Sequence, residues 1–407
     1  MILMRKFLFF LLFAFFSNGV NAQHLDSLES KIDSIVQMGI DSMAFPGAQV
    51  IVATMDSILI QKSYGHHTYD KNIKVENHHL YDLASVTKVT TGLLLLMKMV
   101  DAGLIDLDKR VSEYLPVLCR SNKKKLTLRQ LLAHQAGMEP YIVFWQETLK
   151  DDGTFKKKTF DTTPSKNYPI RITDDLYLHK KYRKKMIKAI KKSSVENLEL
   201  AEYRYSGLIF LLLPELIENV LKADFEEQLM VNFYKKLDLE RIGYKPTRKY
   251  HLDEIVPTEN DTIFRMKLVH GDVHDEAAAM LDSKSCNAGL FSNAEDLATL
   301  FQALMKFSVS DNKSIISKET MAEFTSYQYP EKDNRRGLGF DKPLLEYEEE
   351  KAYIAKSATP SSFGHSGFTG TFVWADPESN ILLVFLSNRV YPYMRPMPWP
   401  QSSRTTE

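Results

Sequence analysis

The segment Ser85-Val86-Thr87-Lys88 has the residue types and the spacing of a nucleophile with its own proton acceptor. A serine and a lysine three residues apart lie on one face of a helix, about one turn apart. A serine hydroxyl attacks poorly until a neighbour removes its proton, and a desolvated lysine can do so because burial disfavours its charged form. Free N–H groups at a helix start also favour a developing oxyanion. The pattern indicates nucleophilic acyl transfer, although a serine N-cap followed by a surface lysine would look the same.

Two other residues could assist such a nucleophile. Tyr205 precedes the apolar run 208–213, and a phenol placed there can enter a cleft, where nearby cations would let it act as a general base. A core aromatic at the start of a helix gives the same pattern. His134 ends the apolar helix predicted over 128–132, where it either bonds a backbone carbonyl or acts in catalysis.

The remaining histidines lack the spacing of metal ligands. His270 and His274 would need a helix to face one ion, and Gly271 between them favours a loop. Residues 66–80 have neither helical nor strand periodicity, so we interpret them as a loop. Its histidines are expected at the surface: His66, His67 and His79. We therefore expect no metal and no cofactor.

The elements that must position the candidate residues are strands near both ends of the chain and helices between them. An amphipathic helix is predicted over 25–43, and a hairpin follows with strands at 48–54 and 57–63. Late strands are predicted at 371–374 and 381–386. This order predicts an α/β (α+β) fold whose sheet is completed late in the chain. The expected divisions are a sheet region at about 23–83 and 285–390, a helical region at about 84–284 and a tail at 391–407.

The first 22 residues are predicted to be a signal peptide. Arg5 and Lys6 precede the apolar run 7–16, and small residues before Ala22 offer a cleavage site. An uncleaved anchor is the alternative, but the run is shorter than the ~20 residues of a comfortable membrane span. We expect an exported protein, periplasmic or extracellular, with one domain over 23–407 and no stable membrane span after cleavage.

Charge and cysteine content exclude some classes of protein. Lysine plus arginine and aspartate plus glutamate both number 52, so nothing favours nucleic acid as a partner. Two cysteines, Cys119 and Cys286, do not make a disulfide framework, and their pairing stays open. The basic segment 150–195 is either a solvated insertion or a surface that attracts anionic cell-wall polymer or membrane.

Three motifs in this order resemble those of the serine β-lactamase and penicillin-binding protein superfamily. Its branch of class C β-lactamases, D-alanyl-D-alanine carboxypeptidases and esterases is the most similar. Ser85-Val86-Thr87-Lys88 resembles S-x-x-K, Tyr205-Ser206-Gly207 resembles Y-x-N or Y-S-x, and His365-Ser366-Gly367 resembles a K-T-G element that is often H-S-G. The connecting segments 131–137 and 288–297 also resemble this family.

The resemblance implies a β-lactamase/transpeptidase-like fold, in which helices flank an antiparallel sheet and a mainly helical region is inserted. It implies that Ser85 is acylated and that Lys88 and Tyr205 handle its proton. It also implies an oxyanion hole from the N–H groups of Ser85 and Phe368, with electrostatic support from His365 that depends on pH near the imidazole pKa. The implied oxyanion and substrate-binding residues are His365, Ser366, Gly367 and Phe368.

Two departures from the family bear on substrate and stability. Gly207 stands where many relatives have Asn or Asp, so an amide that would bond the substrate is missing and efficient β-lactam hydrolysis is disfavoured. The family usually continues into a C-terminal helix, but three prolines within 396–400 preclude a helix interior in the atypical tail.

The predicted function is that of a secreted serine acyl-hydrolase, similar to a D-alanyl peptidase or an esterase. Its substrate would be a small acyl, ester or peptide compound, including peptidoglycan-derived peptides. The alternatives are a β-lactamase, a catalytically silent descendant that binds cell-wall peptide, and an interaction protein that uses the basic segment.

Overall fold

The computed structural model describes residues 22–197, 199, 201–310 and 315–393. Residues 1–21 of the predicted signal peptide and residues 394–407 of the predicted tail lie outside this part of the chain. The α-helices are α1 (Ala22–Asp41), α2 (Thr87–Thr90), α3 (Gly92–Asp101), α4 (Val111–Tyr114), α5 (Leu128–Leu132), α6 (Lys181–Lys192), α7 (Leu213–Leu221), α8 (Phe225–Leu229), α9 (Glu276–Met280), α10 (Ala294–Val309) and α11 (Lys318–Thr325). The strands are β1 (Gly47–Ala53), β2 (Ile58–Gly65), β3 (Tyr81–Asp82), β4 (Phe160–Asp161), β5 (Ile170–Thr173), β6 (Leu176–Leu178), β7 (Ile242–Tyr244), β8 (Glu259–Asp261), β9 (Lys267–Val269), β10 (Leu290–Ser292), β11 (Phe363–Gly367), β12 (Thr371–Asp376) and β13 (Ile381–Ser387).

A five-stranded sheet joins the two ends of the chain. Its strand order is β11-β12-β13-β1-β2, and each neighbouring pair is antiparallel. The early hairpin β1–β2 meets the late strand β13, with Ile51 opposite Val384. The predicted α/β fold with a sheet completed late in the chain is confirmed, as are the first helix and the hairpin after it.

Both faces of this sheet are covered, which explains why every residue of β1 is buried and why all but Gln49 are apolar or glycine. Val50 and Val52 belong to the core that includes Ile32 and Val36 of α1. Ile51 and Ala53 point to the other face, where they share a core with α10. A strand buried on both sides has no polar face to show in the sequence.

The inserted region carries small sheets as well as helices. The sheets β4-β6-β5 and β8-β9 lie wholly within it, and its strand β7 pairs with β10 in a third sheet, β3-β10-β7, whose other two strands flank the region in sequence. A mainly helical region was predicted here, and strands of two to four residues are too short for a period of two to be recognised in the sequence. The beginning of the predicted tail packs on one of these strands, because Asn260 N–H donates to the Pro392 carbonyl at 2.8 Å.

Two histidines of the segment 66–80 are buried, so their predicted position at the surface was wrong. His67 and His79 are 2% and 4% exposed, and their Nε2 and Nδ1 atoms lie 2.8 Å apart in a hydrogen bond. Burial, followed by the charge of neighbouring histidines, lowers the pKa of His67 to about 3. The hydrogen bond between the two rings gives each buried imidazole one polar partner, and the sequence pattern carries no sign of that pairing.

The basic segment 150–195 contains β4, β5 and β6, and its last part forms α6 around an apolar stripe. Tyr182, Met186 and Ile190 are buried, while most of its lysines lie on the opposite side. Cys119 is exposed and Cys286 is buried, and both are free thiols. Within the described residues no helix combines the length and the apolar character needed to cross a membrane.

Gln49 connects the sheet to the segment before the candidate nucleophile and to α10. It is 1% exposed, its Nε2 donates to the carbonyls of Glu76 and His79, and its Oε1 accepts from Ala294 N–H. We expect Gln49→Ala to lower the free energy of unfolding by about 2–4 kcal/mol, because three buried backbone groups lose their partner.

Urea denaturation would measure this effect. The matched control is Gln61→Ala on β2, since Gln61 makes one exposed hydrogen bond to Glu295 and should cost less than about 0.5 kcal/mol. Equal losses for the two variants would contradict the bridging role of Gln49.

Candidate active site

The structure brings Ser85 and Lys88 into hydrogen-bond contact. Ser85 lies in the short 3-10 turn Ala84–Val86, and Lys88 lies in α2, which follows directly. Lys88 Nζ donates to Ser85 Oγ at 2.9 Å and to the Asn287 carbonyl at 3.0 Å. Lys88 is 1% exposed. The spacing read from the sequence therefore corresponds to a desolvated lysine that touches the serine hydroxyl.

A strained turn presents Ser85. Ala84 has a φ of 45°, in the left-handed region that costs about 1–3 kcal/mol for a residue with a Cβ. Buried Asp82 holds this turn, because its carboxylate accepts from Ala84 N–H at 2.8 Å and from His274 N–H at 2.7 Å. Burial raises the pKa of Asp82, and these two donors oppose that rise. Asp82, the last residue of β3, thus holds the turn that presents Ser85.

Tyr205 lies beside both motifs. Its ring centroid is 5.3 Å from Lys88 Nζ and 6.1 Å from the centroid of the His365 ring. Its hydroxyl is buried and has no hydrogen-bond partner among the described residues, so it touches neither Lys88 nor Ser85. The three predicted motifs therefore lie close together, but Tyr205 Oη makes no hydrogen bond to Ser85.

His134 positions the segment that carries Tyr205. Its ring centroid lies 4.4 Å from that of Tyr205, and its Nδ1 accepts from Ser206 N–H at 3.1 Å. The His134 carbonyl accepts from Arg204 N–H at 3.1 Å. The imidazole therefore binds a backbone N–H instead of the carbonyl considered from the sequence. Burial, followed by the charges of Arg336, Lys88 and His365, lowers the pKa of His134 well below its ordinary value.

The His365-Ser366-Gly367 motif lies on β11, the edge strand of the five-stranded sheet. The hairpin β11–β12 is fixed to the segment before Ser85, because Thr371 Oγ1 donates to the Leu83 carbonyl at 2.9 Å. A Cβ at Gly367 would lie 2.5 Å from the same carbonyl oxygen, so only glycine permits this approach.

Residues of this edge strand differ in their exposure. His365 is buried and donates from Nδ1 to the Ser366 carbonyl at 2.7 Å. Ser366 is exposed, and Phe368, the first residue after the strand, is 42% exposed. The Phe368 ring contacts the His274 ring and the Arg389 guanidinium, with centroid distances of 5.8 and 5.1 Å.

Arg336 is a buried cation at this site that the sequence analysis missed. Its guanidinium carbon lies 5.1 Å from the Tyr205 ring centroid, and its Nε donates to Tyr203 Oη at 3.1 Å. Nη2 lies 3.5 Å from Asp341 Oδ2. An arginine within a polar, charged stretch is usually a surface residue, and nothing in the sequence pattern identifies this one as buried.

Glu76, His78 and His79 are the one described group of at least three residues with the proximity of metal ligands. His79 Nδ1 already accepts from Glu76 N–H at 3.2 Å, so the neutral ring carries its proton on the other nitrogen. This donor set fits a metal poorly. His270 and His274 do not converge either: His270 bonds backbone carbonyls and His274 bonds the Glu259 carboxylate.

Comparisons with known proteins identify a family and relatives of the same fold. The beta-lactamase family model matches residues 32–401. A Salmonella enteritidis PT4 protein, whose name provisionally assigns it as a D-alanyl-D-alanine carboxypeptidase, is 27% identical over 91% of this chain and 84% of its own length. A penicillin-binding protein homologue from Caulobacter crescentus has a TM-score of 0.63 at 16% identity, with coverage of 91% of this chain and 93% of its own. A class C beta-lactamase has a TM-score of 0.64 at 14% identity, with coverage of 90% and 95%.

We expect the His365 ring to stay neutral well into the acid range. Burial, followed by the charges of Arg336 and Lys88, lowers its pKa well below the ordinary value. The expectation of a charge change near the usual imidazole pKa of about 6.5 is therefore revised downwards. A pH titration by NMR, with the His365 signal assigned through His365→Asn, should show no midpoint near that value.

The variant Arg336→Gln tests the direction in which the Arg336 charge shifts the pKa of His365. Removing a positive charge near the ring should raise the pKa of His365, so its titration should move to higher pH. A wild-type midpoint near 6.5, or a downward shift in the variant, would contradict this account.

Proposed function

This chain belongs to the beta-lactamase family, and from that premise we propose that it is an exported serine acyl-hydrolase of the penicillin-recognising type. The resemblance and the β-lactamase/transpeptidase-like fold predicted from three motifs are confirmed. The observation that carries the proposal is the 2.9 Å contact between the buried Lys88 Nζ and Ser85 Oγ. A desolvated amine against a serine hydroxyl is one arrangement that can activate the hydroxyl for nucleophilic acyl transfer.

Acylation would begin with attack of Ser85 Oγ on the substrate carbonyl carbon. As the new C–O bond forms, the hydroxyl proton passes to the pair formed by Lys88 and Tyr205. The resulting oxyanion would be stabilised by the N–H groups of Ser85 and Phe368. When the bond to the leaving group breaks, the proton passes to that leaving amine or alkoxide, and an acyl-enzyme on Ser85 remains.

Deacylation would reverse these roles. Water attacks the ester carbon, its proton goes to the same pair, and the Ser85 C–O bond breaks with return of a proton to Oγ. Tyr205 must bring its hydroxyl into contact with Ser85 or Lys88 in these steps. The proximity of its ring to Lys88 supports this role.

The proposed substrate is a D-alanyl peptide or an ester. The Salmonella relative's name supports the first, and Gly207 argues against efficient β-lactam hydrolysis because it offers no side-chain amide of its own. His365, Ser366, Gly367 and Phe368 would bind the substrate along the edge strand. The proposed signal peptide, residues 1–22, would export the enzyme to the periplasm or beyond, where such peptides occur.

A binding protein without turnover is the second candidate function. The observation that favours it is the buried Tyr205 hydroxyl, which has no hydrogen-bond partner within the described residues. In this alternative the cleft holds a cell-wall peptide and Ser85 is not acylated.

Covalent labelling tests the nucleophile. We expect a fluorophosphonate to add one label to the wild-type protein and none to Ser85→Ala, as measured by intact-protein mass spectrometry. Lys88→Met should slow labelling by about 10²–10⁴-fold, because the proton acceptor is lost.

Lys123→Met is the matched control for the loss of a buried lysine. Lys123 is also 1% exposed, but its Nζ donates to Asn122 Oδ1 and the Ser193 carbonyl, away from Ser85. Its labelling rate should match that of the wild type. A folded wild-type protein that takes no label would favour the binding protein, and equal slowing in both variants would exclude Lys88 as the proton acceptor.

Product analysis tests the substrate class. We expect release of D-alanine from a diacylated L-lysyl-D-alanyl-D-alanine peptide to have a higher kcat/KM than hydrolysis of a chromogenic cephalosporin. The reason is that Gly207 lacks the amide with which relatives hold the β-lactam. The reverse order would identify the protein as a β-lactamase.

A further inference from the structure

The space beside Gly207 is occupied by a side chain from a distant part of the chain. A Cβ built at Gly207 would lie 2.4 Å from Asn287 Oδ1 and 3.3 Å from Asn287 Cγ. Real Cβ atoms do not approach so closely, so a side chain at 207 and the amide of Asn287 exclude each other. Because residue 207 is glycine and has no side chain, the amide of Asn287 can occupy this space.

Asn287 also belongs to the immediate surroundings of the nucleophile. Its carbonyl accepts a hydrogen bond from Lys88 Nζ at 3.0 Å, and the same Nζ donates to Ser85 Oγ at 2.9 Å. Its N–H donates to Ser285 Oγ at 2.9 Å, which holds the main chain in place. The Asn287 backbone is therefore connected to Ser85 Oγ through a single atom, Lys88 Nζ.

The contacts of Asn287 determine which end of its amide faces Gly207. Nδ2 donates to Asp275 Oδ2 at 3.1 Å, and the other oxygen of that carboxylate accepts from Ala278 N–H at the start of α9. A carboxylate only accepts, so the amide nitrogen must face Asp275 and the oxygen must face Gly207. Asn287 as a residue is partly exposed, and its Oδ1 lies beside Gly207 of the second motif.

We propose that Asn287 determines substrate specificity by accepting a hydrogen bond from an N–H group in the acyl half of the substrate. The inference rests on the proposed function and names its substrate class: acyl donors with an amide N–H beside the reacting carbonyl, as in peptides. A simple ester cannot make this bond. The competing explanation is that Asn287 only braces residues 283–290 against Asp275.

Two thioesters of the same thiol would separate these explanations. One carries an N-benzoylglycyl group, and the other a 3-benzoylpropanoyl group in which CH₂ replaces the N–H. In the wild type, kcat/KM should favour the first. In Asn287→Ala this preference should shrink by about tenfold, the value of one neutral hydrogen bond of about 1.4 kcal/mol.

Asn293→Ala is the matched control from the same segment. Asn293 caps α10 by accepting from Asp296 N–H, and its Nδ2 donates to the Asn77 carbonyl, so it is structural only. Its loss should leave the preference between the thioesters unchanged. If Asn287→Ala lowers both kcat/KM values equally, the bracing explanation is correct and the proposal is overturned.

A second variant covers the case in which Asn287→Ala does not fold. Asn287→Ser keeps a hydroxyl that can donate towards Asp275 but places no oxygen at Gly207, so it should show the same reduced preference. An unchanged preference in this variant would overturn the proposal.

The steric exclusion can be tested without any turnover. Gly207→Ala should lower the thermal unfolding midpoint in the wild-type background, and clearly less so in Asn287→Ala, where the space is free. Additive losses would show that the amide does not occupy this space and would overturn the proposal. A wild type that takes no fluorophosphonate label and cleaves neither thioester overturns the proposed function, whereas labelling with an unchanged thioester preference in Asn287→Ala overturns only this inference.

Discussion

The site depends on the buried amino group of Lys88, which contacts oxygen atoms from two segments far apart in the chain. Burying such a polar group without partners is costly, and it is tolerated because Ser85 Oγ and the Asn287 carbonyl accept from it. The faces of Tyr205 and Phe210 lie 5.3 and 5.4 Å from Nζ and add favourable cation–π contacts. No acidic side chain forms an ion pair with Lys88 among the described residues, and of its two hydrogen-bond partners only the Ser85 hydroxyl can exchange a proton with it.

Burial and the neighbouring charges of Arg336 and Lys88 set the state of the two imidazoles at the site. Burial first, then these charges, hold the pKa values of His134 and His365 well below the ordinary range, so both rings are neutral near pH 7. In place of a lysine at the start of the edge-strand motif, the protein has a neutral imidazole, and Arg336 provides a fixed cation nearby. Electrostatic support for the proposed oxyanion would then come from Arg336, which lies outside the three motifs.

The candidate site is assembled by the sheet. Gly367 permits the edge strand to approach the Leu83 carbonyl, and Thr371 bonds that same oxygen. Ala84 is held in a left-handed conformation by contacts from Asp82. Since the contacts of Gly367 and Thr371 with Leu83 join residues more than 280 positions apart, the oxyanion site proposed for Ser85 and Phe368 exists only when β11 and β12 are paired with the rest of the sheet.

The sequence by itself determined the local elements and the spacing of the candidate nucleophile. Periodicity predicted the first helix and the β1–β2 hairpin, and the S-x-x-K spacing placed Lys88 against Ser85, because helical geometry depends only on neighbouring residues. Three ordered motifs also identified the family. Only the tertiary structure decided that Asn287 fills the space at Gly207, that Arg336 is buried beside Tyr205 and that His67 pairs with His79. These contacts follow from the packing of segments far apart in the chain, and such packing leaves no period or spacing in the sequence.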